Sequence, residues 1–201
     1  TNNWQDELWL VAGGIFGGSL YFFTENTALG ITQASNVSFI ICTAPLLTTI
    51  LSLLFYKSEK ASKGLIYGSL LALMGVGLIV FNGSFVLKIS PIGDLLTLLA
   101  ALSWAFYSLI IKKMAGRYPT IFITRKIFFY GVLTILPAFL LHPLHPDTVV
   151  LLQPAVLFNL LFLAVLASLI CYVLWNVVLK QLGTVRASNY IYLNPLVTMI
   201  A

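Results

Sequence analysis

Long apolar runs, separated by short polar stretches, follow one another along all 201 residues. Read as helices, they cover about residues 8–24, 34–56, 64–85, 93–111, 120–141 and 156–179, and a seventh begins near Thr184. Segments of about 17–25 residues cross a hydrocarbon layer of about 30 Å. An open strand in lipid leaves its backbone groups unpaired, so helices are the expected spanning element. The longest polar-leaning connection, 142–154, leaves no room for a soluble domain. The pattern predicts an all-α polytopic membrane protein.

Charge then sorts the segments by side. With alternating helices, Lys57, Lys60, Lys63, Lys112, Lys113, Arg117, Lys180 and Arg186 share one side, and Arg125 and Lys126 lie just inside the fifth helix near it. Lys88 alone falls opposite, a division of ten to one among the 11 Lys and Arg residues. Basic loops stay in the cytoplasm. Residue 1 is therefore expected there, with the 25–33 and 142–155 loops outside.

Composition narrows the class further. The chain is 60% hydrophobic and 8% charged, with a mean hydropathy of +0.99, whereas a soluble domain carries roughly 25% charged residues. The net charge of +5 is thus a topology signal. No basic cluster alternates with aromatics in a soluble stretch, which argues against nucleic-acid binding. Cys42 and Cys171 lie in apolar runs, where free Cys behaves as a small hydrophobe, and they predict no disulfide.

One stretch is written twice. Shifted by 150 positions, residues 26–50 lie on 176–200 without gaps, with eight identities in 25 positions that include Asn26/Asn176 and Pro45/Pro195. Asn and Pro are rare in apolar helices, so their pairing points to an internal duplication. The copies begin five helices apart, an odd number, so they cross the membrane in opposite directions. Inverted repeats of this kind are a recurring plan of secondary transporters, with the solute site between the halves. The same arithmetic expects roughly 60 residues before Thr1 and about 35 after Ala201.

Several residues carry candidate chemistry. Gly13-Gly14 and Gly17-Gly18 in the first helix, and Gly64, Gly68 and Ala72 in the third, have the small-xxx-small spacing that lets helices pack closely. In the first helix they also leave room for the bending that alternating access needs. Glu25 is the only carboxylate close to an apolar run on its face. Either it exchanges a proton with a transport step, or it is a helix-end Glu wetted by headgroups. Asp94 is expected to cap or charge the start of the fourth helix. Arg125 and Lys126 either snorkel to the interface or attract anions at the cytoplasmic mouth. Pro45 and Pro195 are expected to break backbone bonds at equivalent points.

The candidate solute-binding set is Tyr21, Glu25, Asn26, Asn36, Ser103, Trp104, Tyr107, Tyr172, Trp175, Asn176, Asn189 and Tyr192. Aromatic walls with a few amides suit a small amphiphilic solute. The competing reading makes the aromatics interfacial belts and the amides bonds between helices, and it is preferred for Trp4, Trp9 and Tyr56. His142 and His145 sit in a proline-broken loop, and two ligands alone make a weak metal site. There is no HExxH pair, no nucleophile with a base in sequence reach and no Walker-type loop. Neither an enzyme, a cofactor nor ATP as energy source is expected.

The run Gly93-Asp94-Leu95-Leu96, then Ala100-Ala101-Leu102-Ser103-Trp104-Ala105-Phe106-Tyr107, resembles the EamA-like family of the drug/metabolite transporter superfamily. So do Ala34-Ser35-Asn36 before Pro45-Leu46, and Ala187-Ser188-Asn189 before Leu193-Asn194-Pro195-Leu196. Each motif is loose; their joint order along the chain is specific. The resemblance implies a ten-helix fold of two inverted five-helix repeats, of which this chain holds about seven helices. Residues 1–85 would end the first repeat (helices three to five), and 93–201 would form the second, short of its last helix. It further implies a bacterial inner-membrane permease that exports small metabolites such as amino acids by alternating access. A proton is the candidate coupling ion and a homodimer the candidate assembly. Glu25-Asn26 is more polar than the family pattern at that place. The rival readings are a non-transporting membrane scaffold or regulatory subunit and, among carriers, a nucleotide-sugar or sugar-phosphate exchanger, which would want more cationic cavity residues.

Overall fold

The first helix begins where Asn3 caps it, its side chain accepting from the Gln5 amide at 3.0 Å. Asp6 and Glu7 follow in the first turn, where carboxylates meet the positive end of the helix dipole. The computed structural model describes residues 3–56, 63–81, 90–141 and 148–194. In it this first crossing runs as α1 (Trp4–Gly14), a π-helical segment (Ile15–Ser19) and α2 (Leu20–Ile31). It exceeds the expected 8–24 at both ends because polar residues such as Asp6, Glu25 and Asn26 end an apolar run without ending a helix.

A π turn leaves carbonyls without their α-helical partners. Two of these accept from side chains of other helices: Ser103 Oγ donates to Phe16 O at 2.8 Å, and Tyr172 Oη to Gly17 O at 2.7 Å. The widened turn thereby ties the first crossing to two neighbours.

The second crossing is split into α3 (Ala34–Ile41) and α4 (Ala44–Phe55) at Cys42-Thr43. Pro45 has no N–H to return to Ile41, and it sits in the first turn of α4, where none is required. Next come α5 (Lys63–Phe81), α6 (Pro91–Ala115) and α7 (Thr120–Leu141). A short α8 (Thr148–Leu151), which the apolar pattern does not predict, precedes the sixth crossing. That crossing is α9 (Pro154–Leu161), a second π segment (Phe162–Ile170) and α10 (Cys171–Leu182). Gly183, at φ 80°, turns the chain into α11 (Thr184–Ser188) in a conformation that L side chains rarely adopt. A 3-10 turn, Asn189–Leu193, follows.

Every element among the described residues is helical. Four helices, Ala34–Phe55, Pro91–Ala115, Thr120–Ala138 and Pro154–Leu182, are long and apolar enough to cross a membrane. The expectations for Lys57, Lys60, Lys88, His142, His145 and Pro195 lie outside the described residues.

Helix α6 is the axis of the packing. Ala100, Ala101 and Ala105 are fully buried on it, and α1, α2, α3, α4, α10 and α11 all contact it. The glycines of the first crossing make the close approaches possible. A Cβ on Gly17 would stand 2.2 Å from the Tyr107 ring, and one on Gly14 would stand 2.9 Å from the Gly131 amide nitrogen of α7. The third crossing differs from expectation: nothing lies within 4 Å of a Cβ placed on Gly68 or Gly75. Their spacing therefore does not serve packing among the described residues.

Two ion pairs fasten the start of α1. Asp6 is buried and accepts from Arg117 Nη1 at 2.5 Å and from Tyr118 Oη at 2.9 Å. Glu7 Oε1 accepts from Lys126 Nζ at 2.7 Å and from Tyr130 Oη. Lys126 is thus paired within the bundle, while Arg125 is exposed beside the Phe122 ring.

Candidate functional site

Three of the expected residues meet at one cavity. Tyr21 from α2, Trp104 from α6 and Trp175 from α10 line a space of about 250 Å³ together with Ile41, Ala44, Tyr190, Ile191 and Asn194. The Trp104 ring lies 5.0 Å from that of Tyr21 and 5.6 Å from that of Trp175, centroid to centroid. The break between α3 and α4 contributes a small wall residue, the buried Ala44.

The indole nitrogens of Trp104 and Trp175 are both buried without a hydrogen-bond partner among the described residues. A buried donor left unpaired costs about 1–3 kcal/mol. A solute whose carbonyl or carboxylate oxygens reached these nitrogens after a small shift of the rings would recover that energy. Aromatic faces would hold its apolar part.

Glu25 joins the site through Tyr21. The Tyr21 ring forms part of the wall, while its hydroxyl donates to Glu25 Oε1 at 2.8 Å. The carboxylate is half-buried, so the wall and this acid are linked by one hydrogen bond.

Other expected residues are brought close without lining the cavity. Tyr107 and Tyr172 stand behind Trp104, with ring centroids at 5.1 and 5.6 Å. Tyr107 Oη donates to Asn176 Oδ1 at 2.7 Å, and Asn176 Nδ2 donates to Thr124 Oγ1 at 2.9 Å. These groups satisfy one another, as does Ser103 with Phe16, so they bond helices together.

The remaining four lie elsewhere. Asn26 is exposed and returns its amide to Phe22 O at 2.7 Å. Asn36 is buried on α3 away from the cavity walls. Asn189 accepts from Ser69 Oγ of α5 at 3.0 Å. Tyr192 packs with Cys42, Phe39 and Leu73.

The apolar walls carry no chemical signal in the sequence, yet a different signal marks them. At the 150-residue shift Ile41 lies on Ile191 and Ala44 on Asn194. Both pairs line the same cavity. The first π segment, 15–19, likewise falls inside the second, 162–170, at that shift.

Comparison with known proteins bears on the whole chain. The EamA-like transporter family matches residues 1–81 and 91–201. An Archaeoglobus fulgidus protein described as an uncharacterized transporter is 30% identical over 187 residues, covering 92% of this chain and 63% of its own length. The Bacillus subtilis uncharacterized transporter YyaM is 28% identical over 191 residues, covering 93% of this chain and 61% of its own. This chain therefore spans about three fifths of the length of those two relatives. A solved crystal structure superimposes with a TM-score of 0.76 over 98% of this chain and 66% of that one, at 20% identity, which shows a shared fold.

Proposed function

The chain belongs to the EamA-like transporter family, and on that premise we propose that it forms part of a secondary carrier for a small amphiphilic metabolite. The solute would be of the amino-acid class, moved outward across a bacterial inner membrane without ATP. The observation that supports this best is the cavity that Tyr21, Trp104 and Trp175 line together, next to two indole nitrogens with no partner among the described residues.

The cavity also sits where two copies of a repeat would meet, since the pairs Ile41/Ile191 and Ala44/Asn194 occupy its wall. That position supports alternating access, in which one repeat rocks against the other around a central site. Small residues at the first helix, with Gly14 and Gly18 against Gly131, let two backbones approach closely, a contact that suits relative movement of the helices. The Tyr21–Glu25 bond supplies a carboxyl group that can hold or release a proton as the cavity changes side, which would couple solute to proton movement.

The test is thermal melting of the full-length protein in detergent against a panel of amino acids, bases and aromatic metabolites. A compound that binds the native state raises the melting temperature by mass action. A hit that disappears in Trp104→Phe supports the carrier and its cavity. A flat panel, together with no solute movement into or out of sealed vesicles, would overturn it in favour of a scaffold.

A further inference from the structure

A second cavity, of about 380 Å³, opens between α1, the end of α4 and α6. It shares no residue with the aromatic solute cavity. Ala12, Phe16, Phe55 and Phe106 make its walls hydrocarbon and aromatic. Two lining residues, Phe55 and Trp9, are 66% and 40% exposed, so the groove opens sideways on the outer surface of the bundle.

One cation stands in this apolar lining. Lys113, in the last turn of α6, places its ammonium 3.7 Å from the centre of the Trp9 ring. The nearby acids are used elsewhere: Asp6 pairs with Arg117, and Glu7 with Lys126. No carboxylate among the described residues pairs with Lys113. By the ten-to-one division of Lys and Arg, this end of α6 faces the cytoplasm.

We propose that this groove is a binding site for an anionic phospholipid of the cytoplasmic leaflet, one acyl chain lying along Phe16 and Phe106 and the phosphate resting on Lys113. The charge complementarity selects this occupant. A polar solute would find almost no hydrogen-bonding groups in the walls. A zwitterionic lipid would bring its own cation to a site whose ammonium is paired by no carboxylate of the described residues. Anionic headgroups concentrate in the cytoplasmic leaflet, and basic pockets between helices on that side select them. Lys113 can keep the Trp9 face on one side while its remaining N–H groups meet phosphate oxygens.

The full-length protein, delipidated in detergent, is offered phosphatidylglycerol or phosphatidylcholine with identical chains, and bound lipid is counted by native mass spectrometry. Phosphatidylglycerol is expected to be retained preferentially. Lys113→Gln should weaken that retention about fivefold, the effect of one surface cation on an anionic headgroup. Lys113→Arg should keep it, and Lys180→Gln, at the exposed end of α10, should leave it unchanged. Ala12→Phe, which fills the groove, should lower retention of phosphatidylglycerol while Lys113 remains. Equal retention of the two lipids by the unmodified protein would overturn the proposal. So would unchanged phosphatidylglycerol retention in Lys113→Gln, or in an Ala12→Phe protein that melts normally, as expected if another segment of the full-length protein fills the groove.

Discussion

Tyr107 donates its hydroxyl to the Asn176 side chain across 2.7 Å, at a point where the two residues are 0% and 1% exposed. This bond joins α6 to α10, and the same Asn176 amide reaches Thr124 on α7. Three helices are held by one side chain. The site next to it, by contrast, leaves two indole donors unpaired.

Asn176→Ala should therefore be a stability mutation. It strands the Tyr107 hydroxyl in a dry interior and removes the bond to Thr124, which keeps its donation to Thr120 O, and should cost about 1–3 kcal/mol. Tyr107→Phe, which leaves only one acceptor unmet, should cost less. Melting curves of the two single variants and the double variant check this, and a coupling energy near zero would contradict it.

Trp104→Phe and Trp175→Phe should behave in the opposite way. Each keeps an aromatic ring at the cavity but removes a donor that has no partner among the described residues. Binding of the solute found in the melting panel should weaken by about tenfold per variant, the worth of one hydrogen bond to a charged or strongly polar group. Ligand-free stability should change little by comparison with Asn176→Ala.

Glycine substitutions should separate tight from open positions. Gly17→Ala places a methyl 2.2 Å from the fully buried Tyr107 ring, and Gly14→Ala meets the α7 backbone at Gly131. Each should cost about 1–3 kcal/mol by overpacking. Gly68→Ala, with open space around it, should be neutral or stabilising by up to about 1 kcal/mol through helix propensity. Thermal melting of the three variants in one detergent is the check.

The Asp6 cluster should show an asymmetry and an alkaline signature. Asp6 is buried, whereas the Arg117 side chain is 53% exposed. Removing the exposed partner by Arg117→Gln leaves a buried carboxylate underpaired, at roughly 1–2 kcal/mol after allowance for screening. The hydrogen bond to Asp6 pushes the Tyr118 phenol above its ordinary range. A raised folded value means the stabilisation is present below about pH 10, the unfolded value, and is lost as pH rises through the folded one. The stability difference between the native protein and Tyr118→Phe should be constant below pH 9 or so and shrink in stronger alkali. A difference that grows with pH would contradict the assignment.

Glu25→Gln keeps an acceptor for Tyr21 while abolishing ionisation, and Tyr21→Phe removes the link to the cavity wall. In vesicles with an imposed pH gradient, Glu25→Gln should stop gradient-driven accumulation while allowing solute to equilibrate. Accumulation at the native level would remove Glu25 from the coupling step.

Much of the fold is legible in the sequence, because lipid imposes the same two demands on every segment separately. A segment must be apolar over the membrane thickness, and its backbone must bond to itself. The starts of α7 and α3 follow from that alone. The glycine pairs of the first crossing also predict contact, since small residues at that spacing have few other uses in lipid. In α5 no described residue lies against Gly68; the pattern states that a close approach is possible without naming a partner.

The candidate site is legible only in part. Tyr21, Trp104 and Trp175 share one cavity, yet the Ile41/Ile191 and Ala44/Asn194 pairs of its wall are marked by the repeat register rather than by any chemical motif. The two π segments have no cue in residue type.

The sequence by itself determines which segments are apolar over a membrane's thickness, and that Asn26 and Asn176 are counterparts at the 150-residue shift. Only the tertiary structure decides that Asn26 is exposed and bonded within its own helix while Asn176 is buried against Tyr107 and Thr124. The reason is geometric. Apolarity and backbone pairing act along each helix, whereas a side chain's partner depends on how far the helix has turned about its axis. One residue corresponds to about 100° of turn, and that rotation is set by side chains of other helices distant in sequence.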